Sequence, residues 1–251
     1  VGSPIAPVIA GSLIVAAPVN AQGVPNPPTL CAAEETRAGD SPEEGLPTAG
    51  GKKWNPGHYL KPQGNHAQSD TESYLSSISS QITKVEDSPE IKGATIAYAW
   101  GVVEPSLGNY NWEPIYRHLD YLSARGKKLI LSINVKCFGT DCKNLAPSNL
   151  SGEVFVTPRE APTQIVEIWE GANMDAYIAL WQALGEEFDD NPALEMVLGA
   201  ESTPSLQGST PTGYTKGAYA EQLKRMYSAQ AESFPSTNVA ANINFLGQEV
   251  S

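Results

Sequence analysis

The chain has 251 residues, 41% of them hydrophobic and 18% charged. Such a chain is long enough to bury a core without a metal or disulfide staple. Sixteen basic residues against 28 acidic ones leave a net charge of -12. That balance argues against binding a phosphate backbone or an anionic membrane surface, both of which need clustered Lys and Arg.

The composition is uneven along the chain. All 20 aromatic residues lie at or after Trp54, whereas the first 50 residues hold 8 of the 20 prolines. A segment without aromatics is poorly placed to offset its ordering entropy by burial. Residues 5–19 (IAPVIAGSLIVAAPV) are apolar, uncharged and short for a bilayer span. Val19-Asn20-Ala21 then places small residues where a signal peptidase reads. Residues 1–21 therefore read as signal-like, although no basic n-region precedes them. Residues 22–52 read as a disordered linker and 53–251 as the fold. The expected location is secreted or periplasmic. Export permits disulfides. The spacing of Cys137 and Cys142 leaves a short bridged loop and free thiols both open, with Cys31 left over. No cysteine or histidine set has metal-ligand spacing, so neither metal nor cofactor is expected.

From Trp54 onward, strands and helices alternate. In chain order the expected elements are a strand at 58–62, a helix at 69–85 opened by Ser69 or Asp70, and a strand at 91–100. A helix at 112–125 follows, with Pro114 in its first turn, and then a strand at 128–138. A helix at 175–188 with Ile178, Trp181, Leu184 and Phe188 inward, a strand at 194–201, a helix at 218–234 and a strand at 238–245 complete the series. Alternation at this spacing means parallel strands with crossover helices. An open doubly wound sheet and a closed (β/α)8 barrel compete. The first strand runs into KPQGNHAQSD, which lacks a glycine-rich nucleotide loop. Polar residues share one parity at Ser132, Asn134 and Lys136, another at Glu195 and Glu201, and a third at Asn242 and Asn244. In a buried parallel strand such groups are costly unless they line a site. The expected fold class is therefore α/β, a (β/α)8 TIM barrel, with about five of eight units readable, as in an N-terminal fragment.

The stretch Trp100-Gly-Val-Val-Glu104-Pro105-Ser-Leu-Gly108-Asn-Tyr110-Asn-Trp112 resembles one found in (β/α)8 glycoside hydrolases of the large retaining clan that uses two glutamates. Gly126-Lys127-Lys128-Leu129, Asn191-Pro192 and Glu201 continue the likeness. Trp54-Asn55-Pro56-Gly57-His58-Tyr59 is similar to the first-strand opening of a poorly characterised bacterial branch. The resemblance implies a retaining double displacement on an oligo- or polysaccharide, with Glu201 as general acid/base. It implies a nucleophile on a seventh strand, beyond Ser251, so that the chain by itself is catalytically incomplete. One departure stands out: the clan places Asn before the fourth-strand Glu, to contact the substrate 2-hydroxyl, and here that residue is Ala200.

Glu201 carries the catalytic expectation, set against a structural carboxylate paired with Lys136. Trp100 is a candidate sugar-stacking residue or a core residue. Asn134, Lys136, Asn244 and His58 are candidate hydroxyl ligands or a polar filling of the barrel. Glu104 reads as a turn-fixing carboxylate. The alternative function is a non-catalytic carbohydrate-binding barrel, which Ala200 favours. No nucleic acid is expected as a partner, nor a membrane after signal cleavage, and the oligomeric state is open.

Overall fold

The computed structural model describes residues 51–62, 72–151 and 154–244. The signal-like segment, all but the last two residues of the expected linker, the helix start at Ser69 or Asp70 and the last residues from Phe245 lie outside them. The elements in chain order are β1 (His58–Leu60), α1 (Glu72–Thr83), β2 (Ile91–Ala99), α2 (Trp100–Val103), α3 (Glu113–Ser123), β3 (Lys128–Asn134) and β4 (Lys136–Phe138). They continue with β5 (Val154–Val156), β6 (Thr163–Val166), α4 (Gly171–Phe188), β7 (Leu194–Leu198), α5 (Lys216–Ser233) and β8 (Asn238–Ala240).

Five of the strands form one parallel sheet in the order β1-β2-β3-β7-β8. Spatial order thus follows chain order. A doubly wound sheet reverses its strand order part-way and places helices on both faces; a barrel wall never reverses. Burial agrees. Ala94, Ile96 and Tyr98 of β2 and Leu129, Leu131 and Ile133 of β3 are buried in one cluster with Ile115, Leu119, Trp181, Leu184 and Met226 from the helices. On the opposite face Thr95, Ala97, Ile130, Asn134, Met196 and Leu198 are only half-buried, although Ser132 is buried. This is a partial barrel wall with helices outside.

The helices form where their apolar spacing places them. α3 has Pro114 in its first turn and buries Ile115, Leu119 and Leu122. Thr215 caps α5, its hydroxyl accepting from the Ala218 N–H at 3.0 Å. α4 begins one turn before the expected start, and Tyr177 and Leu180 are buried while Ile178 is only half-buried. α4 and α5 approach so closely at Gly185 that a Cβ there would meet the Ser233 carbonyl oxygen at 2.2 Å.

The expected strand at 128–138 is in fact two strands. β2 ends at Ala99, paired with Asn134, and β7 ends at Leu198, paired with Ser132. Beyond Asn134 the chain has no parallel neighbour left. It turns at Val135, whose carbonyl accepts from Val166 N–H at 2.9 Å, and β4 pairs antiparallel with β6. β6 also pairs with β5, making a three-stranded antiparallel sheet that alternation of helix and strand did not announce. The second expected strand ends one residue early, because Gly101 and its neighbours enter α2, the Gly101 N–H donating to Asn144 O at 2.9 Å.

The base of the wall is pinned by two lysines. Lys52 Nζ donates to the carbonyls of Phe234 and Thr237, both at 2.9 Å. Lys53 Nζ donates to Asn191 O and Thr237 Oγ1, both at 2.8 Å.

Two glycines of α4 should respond with opposite signs in urea unfolding. Gly185→Ala should cost about 1–3 kcal/mol by overpacking against Ser233. Gly171→Ala, where a Cβ meets nothing closer than 3.9 Å, should add about 0.4–1 kcal/mol by lowering unfolded-state entropy. Equal effects would refute the packing described.

Candidate active site

The carboxyl-terminal ends of the parallel strands surround a cavity of about 300 Å³. In barrels this is the face where loops carry chemistry. Lys61 beyond β1, Asn134 at the end of β3, Lys136 and Phe138 on β4, Glu201 beyond β7 and Asn242 beyond β8 all line it. Glu201 is the one carboxylate of that lining among the described residues.

Lys136 is the hub. Its ammonium donates to Glu201 Oε2 at 2.5 Å, to Thr203 O at 2.8 Å and to Ser205 Oγ at 3.2 Å. All three of its protons are thus placed. Asn244 Nδ2 donates to the other Glu201 oxygen. The Asn244 Oδ1 accepts from Ser202 Oγ at 3.3 Å and Thr203 N–H at 3.1 Å. Asn134 makes no side-chain hydrogen bond with another described residue, so its amide is available to a ligand.

Burial works against the charge on both members of the ion pair. It pushes the Lys136 ammonium below its usual range, with Glu201 opposing that shift. Burial raises Glu201 too, but the hydrogen bonds from Lys136 and Asn244 and the nearby charges of Lys136 and Lys61 outweigh it, holding the carboxyl below its ordinary 4.5. Glu201 is therefore an anion at neutral pH.

Three of the expected site residues meet here: Glu201, Lys136 and Asn244, with Asn134 beside them. Two do not. Trp100 is fully buried, its ring 5.0 Å from that of Tyr177 and its indole N–H donating to Glu104 at 2.6 Å. It belongs to the core, because the chain turns into α2 there instead of running on to the rim. His58 is exposed and opens β1 at the amino-terminal end of the wall, opposite Ile91, far from the rim. Glu195 does not share a face with Glu201 either. It takes Asn55 N–H at 2.6 Å and faces Lys128 at 3.7 Å, at the other end of the sheet, beside a register shift in the β3–β7 pairing. Glu104 holds its turn as expected, accepting also from Gly108 N–H at 2.7 Å.

Sequence reasoning missed Phe138 and Lys61. Phe138 continues the parity of Ser132, Asn134 and Lys136 by one more step. Lys61 lies at the carboxyl end of the strand whose amino end is His58. Cys137 and Cys142 form a disulfide, which closes one of the two open alternatives.

No protein-family model matches the sequence, and no curated protein does. Solved structures do. Endo-glycoceramidase II from Rhodococcus sp., in its cellobiose-like imidazole complex, superposes with a TM-score of 0.50 at 14% identity, over 73% of this chain and 48% of that one. Its lactosyl-enzyme intermediate gives 0.50 at 17% identity over the same shares, 73% and 48%. An exo-β-1,4-mannosidase from an Opitutaceae bacterium gives 0.51 at 14% identity, over 74% of this chain and 32% of that one. The fold is that of the glycoside hydrolase barrels. The chain spans about half the length of the endo-glycoceramidase it matches.

The depressed carboxyl pKa has a thermodynamic signature. A group whose folded pKa is lowered contributes stability that is present above its unfolded pKa and lost as pH falls through the folded value. The stability difference between the wild type and Glu201→Gln should therefore be largest near neutral pH and shrink below about 4.5, where Glu201 begins to protonate in the unfolded chain. Urea titrations between pH 3 and 7 check this; a difference independent of pH contradicts the pairing.

Proposed function

We propose that the protein is a secreted, carbohydrate-active barrel of the retaining glycoside hydrolase type, with Glu201 as its general acid/base. One observation carries the reading: Glu201 stands just past the end of the fourth parallel strand, in an open pocket at the carboxyl-terminal face, with amide and ammonium groups around it. Neutral saccharides present hydroxyls, and Asn134 and Asn242 offer amides to meet them. The Cys137–Cys142 bridge supports an oxidising compartment.

Double displacement needs two carboxylates about 5–5.5 Å apart. One protonates the leaving oxygen while the other attacks the sugar carbon; the first then deprotonates the incoming water. The pocket lining supplies Glu201 alone among the described residues, so in this reading the nucleophile comes from outside them. A second carboxylate near Glu201 would raise its pKa, against the pull of Lys136. Acid catalysis therefore requires either that neighbour or displacement of Lys136.

A non-catalytic saccharide-binding barrel is the second reading, and a specific observation favours it. Both Glu201 oxygens are already engaged, and Ala200 supplies no side-chain amide beside it.

The experiment is glycoside cleavage by the full-length protein and its Glu201→Gln variant. On substrates with poor leaving groups the variant should lose about 10²- to 10⁴-fold in kcat/KM. On dinitrophenyl glycosides, whose leaving group needs no proton, bond cleavage should be largely spared. Equal turnover by both proteins on both substrates would remove Glu201 from the chemistry. Saccharide binding without turnover would decide for the second reading.

A further inference from the structure

Phe138 is 62% exposed, yet it lines the same cavity as Glu201. Its surroundings are unusually well fixed for an exposed side chain. It lies on β4 opposite Thr163 of β6. The residue before it is cross-linked to Cys142. The residue after it, Gly139, donates its N–H to Pro162 O at 2.7 Å and accepts from Gln164 Nε2 at 3.0 Å. Backbone on both sides of the ring is thus anchored while the ring faces solvent.

Lys136 links this ring to the carboxylate. Its ammonium lies 5.4 Å from the Phe138 centroid and 2.5 Å from Glu201 Oε2. Ring and carboxylate therefore border the same ammonium and the same cavity. A pyranose has a face of C–H groups and a rim of hydroxyls. The C–H face packs on an aromatic plane, and the hydroxyls need polar partners such as amides. Asn134, whose amide makes no side-chain hydrogen bond with another described residue, lines the same cavity as the ring. A rigid ring adds affinity because little side-chain entropy is lost on binding.

We propose that Phe138 is the sugar-stacking platform of this pocket, selecting saccharides whose pyranose presents an unsubstituted C–H face. This deepens the reading of the pocket as a carbohydrate site and rests on it. It also moves the stacking role from Trp100, which is in the core, to a residue on the antiparallel sheet.

The test measures binding of cello-, manno- and lacto-oligosaccharides by calorimetry to the full-length wild type and to Phe138→Ala, Phe138→Trp and Glu201→Gln, with thermal unfolding as a control. For whichever oligosaccharide binds, Phe138→Ala should weaken affinity about tenfold, the scale of one aromatic contact. Phe138→Trp should keep or strengthen it and shift its added tryptophan emission on binding. Thermal midpoints should change little, since the ring is exposed. Unchanged affinity in Phe138→Ala, with hydrolysis still lost in Glu201→Gln, would overturn the platform and leave the carbohydrate reading standing. Failure of all three oligosaccharide series to bind the wild type would overturn both. A large fall in the thermal midpoint of Phe138→Ala, with affinity restored by Phe138→Leu, would assign the ring to packing and overturn the platform.

Discussion

The site depends on one largely buried ammonium. Lys136 sits where the third parallel strand has lost both neighbours and the chain turns at Val135 into the antiparallel sheet. From there it reaches across to Glu201, Thr203 and Ser205, beyond the fourth strand. Burying a cation is costly unless it is paired and hydrogen-bonded. Three acceptors meet that requirement, and in doing so they hold the loop after β7 over the rim. The parallel wall, the antiparallel sheet and that loop are thereby joined at one atom.

The electrostatic consequence follows directly. A pair in a partly dry environment couples the two charges more strongly than one in water. Lys136 keeps Glu201 ionised, and Asn244 keeps it oriented. Such a carboxylate is prepared to accept hydrogen bonds from hydroxyls. It is not prepared to donate a proton until its surroundings change.

Much of the wall was legible in the sequence. The alternation of Leu129, Leu131 and Ile133 against Ser132 and Asn134 separated helix face from pocket face because each parallel strand obeys a period of two. The spacing of Ile115, Leu119 and Leu122 located α3 for the same kind of reason. What escaped depended on where neighbours end. Nothing local at Val135 says that β2 and β7 stop there, so the apolar run through Phe138 read as one strand. Trp100 and His58 failed as site residues for related reasons: the α2 turn carries one into the core, and strand polarity puts the other at the wrong end. Glu195 and Glu201 share a parity on paper, but the register shift and the end of β7 at Leu198 separate their environments.

The most direct measurement is the titration of the Glu201 carboxyl by carbon-13 NMR, in the wild type and in Lys136→Met. The account predicts a wild-type pKa below the ordinary 4.5 that rises when the ammonium is removed. A Glu201 that titrates at or above 4.5 in the wild type, and does not respond to Lys136→Met, would contradict it.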